Sequence, residues 1–388
     1  MRALLIVLAT LVQFGQRPPL TPAETLLEPS ILKAIEDAPL DFEVPPISID
    51  GADPTAGEIV IVGVPSRGVA ASWAVKKLHG LVESKRLSRP ARAIRFAATA
   101  ELAPRRNTKA AICVRDDTAH TLTIVRGPWS TSSLGDEVVE IFARQTSNAI
   151  DTEAFRDVGQ LKWDPYGIPT TTIVTSEEAD TFTQAAFVAA ASAYFLATLP
   201  NSGAEALLSH LTVGAHARLA EDGRKAVAQM GNQQRAGADV LIMFAQAIER
   251  EQRRMRSFER FMPAPVDPML HSRILDMEKG ITSVWTSMAI TSSPFVPAAE
   301  RIRGRGGEDR RVPSRLREGL LPAPDPPTAM LKYPNVSDVI YELGNFIDGQ
   351  RSISDIRDAV SAEFGPIALP VVIDYFERLA KTGAVAIR

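Results

Sequence analysis

The strongest constraint on the fold is a succession of short apolar strands separated by helical patterns. Glu58-Ile-Val-Ile-Val-Gly63 is a β-branched run that ends in glycine. Gly68 to Leu87 reads as a helix, with Val69, Trp73, Leu78 and Val82 on one side and basic residues between them. Pro90 stops that helix, and Ala93 to Thr99 is the next strand. Ala110–Val114 and Thr121–Val125 are further strands, and Asp136–Gln145 is a helix carrying Val138, Val139 and Phe142. Gly167–Val174 is the last strand of the block, followed by an alanine-rich helix from about Thr183 to Leu199. Strands that alternate with helices predict an α/β fold with a mostly parallel central sheet flanked by helices, over residues 57–200.

The remaining segments read as separate regions. Residues 1–16 carry Arg2 and then an apolar stretch that breaks at Gln13, the pattern of a signal peptide. A secreted or periplasmic location is therefore expected, with the cytoplasm as the alternative. The run is too short for a transmembrane span, which needs about 20 apolar residues. Residues 17–56 form an N-terminal extension rich in Pro, Asp and Glu. Helical patterns dominate 201–295, and 296–330 reads as a flexible linker carrying RIRGRGGEDRR and LLPAPDPP. The last segment, 331–388, reads as a small helical or winged-helix-like module: helices over Val336–Phe346 and Leu369–Lys381, a turn at Asp348-Gly349, a helix capped by Ser352 or Ser354, and a short strand over Gly383–Ile387.

The whole chain has 388 residues and a formal net charge of -3, which gives no global attraction to nucleic acid. The arginine-rich stretches near Arg253 and over Arg301–Arg311 are interleaved with acids and lack aromatics for stacking bases. No nucleic-acid partner is expected. A single cysteine, Cys113, excludes an intramolecular disulfide and a Cys-rich zinc module, and its place in an apolar strand reads as an inert core thiol.

In an α/β sheet, chemistry sits beyond the carboxyl ends of the parallel strands. Acidic residues stand at several of those positions. Glu101 follows the second strand, Asp116 the third, and Asp180 opens the helix after the last. Carboxylates converging there would hold a hard cation or supply a base, although Glu177, Glu178 and Asp180 also suit a helix N-terminus. Gly63–Gly68 is an ordinary strand-to-helix turn rather than a phosphate loop, and Ser66 lacks the setting of a nucleophile elbow. The histidines form no recognisable metal motif: His79 lies in a helix, His120 begins a strand region, His210 and His216 do not share a helix face, and His271 sits in a loop.

The order of elements resembles the zinc-dependent aminopeptidases of the M28 peptidase family, especially a bacterial secreted subgroup with a small C-terminal domain. GVAASWAVKKLHGLVESKRLSRPARAIRFAATAE (Gly68–Glu101), Lys109–Asp116, Trp163–Thr170, Ala179–Thr181 and the C-terminal stretch DGQRSISDIRDAVSAEFG carry the likeness. The resemblance implies a zinc-exopeptidase-like fold. It also implies two zinc ions held by two histidines and several carboxylates, with a glutamate as general base. Transferred residue by residue, it assigns Glu101, Asp116 and Asp180 to the metal region, with Glu101, at the acidic strand end, also as the catalytic residue. Trp163 and Tyr166 would line the cleft. At the ligand histidine positions this chain has Val64 and Ser176, and the loop with the bridging aspartate is missing between Arg67 and Gly68. The expectation is an M28 peptidase-like protein that is catalytically inactive, binds no cofactor and is retained for binding a peptide or protein ligand, or for structure. The alternative is an active zinc-dependent aminopeptidase with rearranged ligands, removing N-terminal residues from peptides.

Overall fold

A computed structural model describes residues 48–64, 69–98, 107–116, 121–146, 150–154, 168–175, 179–199, 204–231, 237–262, 266–292, 309–317, 321–322 and 324–388. These fall into two compact units. One holds the sheet and residues 256–267, and the other holds residues 205–255 with 268–388.

The first unit contains a seven-stranded sheet. Its strands are β1 (Ser48–Ile49), β2 (Glu58–Val64), β3 (Ala93–Ala98), β4 (Thr108–Asp116), β5 (Leu122–Arg126), β6 (Ile150–Ala154) and β7 (Thr170–Thr175). The spatial order is β1-β3-β2-β4-β7-β5-β6. β3, β2, β4 and β7 are mutually parallel, whereas β1 runs antiparallel to β3 and β5 antiparallel to β7. The fold is therefore mixed α/β around a mostly parallel sheet. The central strands are buried on both faces, and so they read as continuous apolar runs rather than alternating ones. Three helices pack on this sheet: α1 (Val69–Glu83), α2 (Leu134–Thr146) and α3 (Ala179–Thr198). α3 packs against both α1 and α2, and its alanines at 185, 186, 189, 190 and 193 are fully buried. Small side chains let a helix approach closely, and Phe142 fills the space beside it, edge-on to Phe187 and Phe195 at 6.4 and 6.0 Å.

The expected strands and helices over 58–98, 110–146 and 170–198 are present to within a few residues. Two strands, β1 and β6, were not expected. β6 (Ile-Asp-Thr-Glu-Ala) has no strong apolar alternation and pairs only with β5 at the sheet's rim.

The turn before β2 needs glycine. Gly57 has φ +91°, and a Cβ there would lie 2.4 Å from the Asn107 carbonyl oxygen. Gly57→Ala is expected to cost about 2 kcal/mol or more of stability. Denaturant unfolding of the variant checks this, and an unchanged midpoint would contradict it.

The second unit contains α4 (Ala204–Gly231), the greater part of α5 (Gly237–Arg260), α6 (Pro268–Ser292) and the C-terminal segment. His271 lies within α6 and not in a loop. The proline-rich stretch before it starts the helix, because Pro268 occupies the first helical position, where no N–H is needed. The C-terminal helices are α7 (Val336–Asn345), α8 (Ile353–Phe364) and α9 (Leu369–Lys381). Ser352 and Asp355 form a reciprocal capping box that opens α8. Strands β8 (Pro313–Arg315) and β9 (Val385–Ile387) pair antiparallel, and β8 falls inside the stretch read as linker. Its three residues carry no apolar pattern, and only the pairing with β9 defines them as a strand. Val339, Leu343, Phe346, Ile356, Val360, Val372, Phe376 and Leu379 make the buried centre of this part.

Charged side chains hold the second unit together. Arg351 reaches Glu249 at 2.6 Å, Arg253 reaches the same carboxylate oxygen at 2.7 Å, and both guanidinium groups lie over the Phe346 ring, at 5.5 and 5.2 Å. Burial pushes the Arg253 guanidinium down to about 10, so it remains a cation at neutral pH. Deeper in the unit, fully buried Glu251 accepts from Arg218 at 2.8 Å and from Arg250 at 2.8 Å, while Arg250 also reaches Asp222 at 2.9 Å.

Candidate functional site

The chain passes from β2 to β3 on one side and returns to β4 on the other, so the sheet's switch point lies between β2 and β4. The crevice beyond the carboxyl ends of two such strands is where open α/β sheets bind ligands. β2 ends at Val64, which is in register with Arg115 of β4. β4 ends at Asp116, in register with Thr175, the last residue of β7. Asp180 is the second residue of α3. The backbone thus brings Val64, Arg115, Asp116 and Thr175 to one edge of three adjacent strands, which lie about 4.8 Å apart. Thr175 is fully buried and carries no signal in the sequence that would have singled it out.

Glu101, Ser66, Ser176, His120, Trp163 and Tyr166 lie outside the described residues. The described histidines are elsewhere. His79 sits in the middle of α1, half-buried. His210 and His216 are on α4, and His271 is exposed on α6. His216 accepts a hydrogen bond at Nδ1 from Trp285 Nε1 at 3.1 Å. That bond places its own proton on Nε2, and burial lowers its pKa, so it is a neutral structural imidazole. Cys113 is fully buried in β4, as the reading of an inert thiol expects.

Among the described residues, no group of three or more His, Cys, Asp or Glu comes together as a ligand set. Among the described residues, the donors on these strand ends do not make up a two-zinc centre. Catalytic zinc takes three protein ligands, normally including imidazole, and a metal pair also needs a bridging group. Valine offers no lone pair, and the residue in register with it across the switch point is Arg115, a cation rather than a metal ligand.

No family model and no curated protein matches the chain. Among solved structures, a Clostridium acetobutylicum protein described as a "putative peptidase" is similar at 9% identity and a TM-score of 0.23, over 88% of this chain and 59% of that one. This chain thus spans less than two thirds of that protein's length, and the similarity is too slight to bear on chemistry.

Proposed function

We propose that the chain is a peptidase-like α/β protein of the M28 type that no longer hydrolyses peptides, and that the edge formed by β2, β4 and β7 has been kept for binding a peptide or protein ligand. The observation that carries this reading is the pair at the switch point, Val64 in register with Arg115. Hydrolysis by a zinc pair needs ligands there, whereas binding an extended chain needs only an edge of shaped, partly polar side chains. Asp116 and Asp180 then serve as polar contacts, and Glu101 has the same role. Secretion or a periplasmic location fits a protein that meets peptides outside the cytoplasm, and it rests on the apolar run near the N-terminus. Among the described residues no single helix is long and apolar enough to cross a membrane.

Metal content of the full-length protein tests the proposal. After incubation with excess zinc and desalting, the expected content is below about 0.2 zinc per chain, with no release of N-terminal residues from a panel of aminopeptidase substrates. One or two zinc ions per chain, together with turnover, would establish the active aminopeptidase with rearranged ligands instead.

A further inference from the structure

Many described cations lie against a carboxylate. Arg95 is bidentate on Glu58 at 3.1 Å, and Arg378 lies on Asp374 at 3.0 Å. The amino edge of the sheet, opposite the candidate site, is different. Four segments meet there: the turn over Asp53–Gly57, the entry to β3 at Arg92, the start of β4 at Lys109, and the end of α5 at Arg260. Backbone bonds fix them, with Asp53 N–H on the Ala91 carbonyl at 3.0 Å, Ala93 N–H on that of Gly57 at 3.1 Å, and Glu58 N–H on that of Asn107 at 3.2 Å. The Arg92 Nη2 donates to the Phe261 carbonyl at 2.6 Å and so joins the end of α5 to this edge.

Arg92 is 3% exposed, its Nη1 donates to the Leu196 carbonyl at 3.3 Å, and its buried Nε has no partner among the described residues. Lys109 is half-buried, and its Cε would lie 2.9 Å from a Cβ on Gly57, so the bare glycine leaves room for the lysine chain. Arg260 is exposed. Among the described residues none of the three forms a salt bridge. The nearby carboxylate of Asp53 is exposed and is already held by the Thr55 N–H and hydroxyl at 2.8 and 2.6 Å. Glu58 is committed to Arg95 and to the Thr108 hydroxyl at 2.8 Å.

We propose that Arg92, Lys109 and Arg260 form an anion site at the amino edge of the sheet that takes a phosphate dianion, free or as a phosphomonoester. The Asp53 carboxylate does not balance three cations, and a phosphate dianion supplies the further negative charge. Guanidinium forks and a lysine point charge are the groups that bind its oxygens most strongly. Arg92 supplies a rigid, buried floor, and Lys109 and Arg260 supply arms that solvent can reach. Proton affinities agree with this arrangement. Burial lowers Lys109, and the charges of Arg260 and Arg92 lower it further, whereas Arg378 is raised by its hydrogen bond to Asp374. Gathering like charges is unfavourable until a counter-anion arrives.

Titration calorimetry of the full chain with inorganic phosphate at low ionic strength is the test. One saturable site per chain is expected, weakened about tenfold by Lys109→Gln and again by Arg260→Gln. Both side chains reach solvent, so these variants keep the fold, which circular dichroism checks. Lys279→Gln, at an exposed pair on α6, should leave binding unchanged. Glycerol 3-phosphate, and phosphatidylcholine vesicles with and without phosphatidic acid, then separate a soluble phosphoester from a lipid headgroup as the source. Absence of saturation, or equal affinity in the double variant, would overturn the proposal.

Discussion

Glu251→Ala is expected to destabilise the α4–α6 unit by roughly 3–5 kcal/mol, a large share of the 5–15 kcal/mol that holds a typical domain together. Glu251 is fully buried and is held by Arg218 and Arg250, with the buried Arg254 also close by. Removing the carboxylate leaves guanidinium groups in a low-dielectric interior without their counter-charge, and that desolvation penalty dominates the loss. Burial by itself would raise the Glu251 pKa. The charges of Arg218, Arg250 and Arg254 outweigh burial and hold the carboxyl well below its ordinary 4.5. A carboxylate depressed in the folded state binds its proton less readily there than in the unfolded chain. Its stabilisation is therefore complete above pH 4.5 and is lost as pH falls from there through the folded value. Denaturant unfolding followed by helical circular dichroism should show a lower midpoint at pH 7 and a shallower acid dependence in the variant. Glu221→Ala, whose partners Arg224 and Lys225 are exposed, should change stability by less than about 0.5 kcal/mol. Equal effects from the two variants would refute the buried-network account.

Asp136→Ala should cost about 3 kcal/mol in the sheet unit. Asp136 is 1% exposed and accepts from the Gly127 N–H at 3.0 Å, the Ser133 N–H at 3.2 Å and the Thr171 hydroxyl at 2.7 Å. It ties the turn after β5 and the first turn of α2 to β7, and truncation leaves all three donors unsatisfied in the interior. Asp136→Asn keeps an acceptor oxygen and should recover more than half of the loss. Thermal unfolding of the two variants checks the order. An alanine variant as stable as the asparagine one would show that water replaces the carboxylate.

The strands were legible because both faces of a central parallel strand are covered, so Ile59, Val60, Ile61 and Val62 all had to be apolar. α1 was legible from its apolar stripe, and α8 from the Ser352 cap that the structure completes with Asp355. The edge strand β6 was not, because one-sided pairing places little demand on side chains. The start of α6 was misread since a proline is both a helix breaker and a good first helical residue, and only the backbone around Pro268 decides which.

Of the candidate site, the sequence placed Asp116 at a strand end and Asp180 at the head of the following helix. Which residues stand beside Asp116 depends on register, and Thr175 and Arg115 emerged only from the pairing of β4 with β7 and β2. The cation cluster is less legible still. Arg92 and Phe261 are 169 residues apart in the chain, and no local spacing announces that they touch.

The sequence by itself determined the alternation of strands and helices, the burial of the central strands and the absence of an imidazole at Val64. These follow from local propensity, periodicity and residue chemistry, each confined to a few neighbouring positions. Tertiary structure alone decided the strand order and thus the switch point at Val64 and Arg115. It also decided the reversal of β5, the burial of Glu251 among arginines and the hydrogen bond from Arg92 to the Phe261 carbonyl. Those are contacts between distant segments, set by how sheet and helices pack, and charge is neutralised or left in surplus only once that packing has chosen the neighbours.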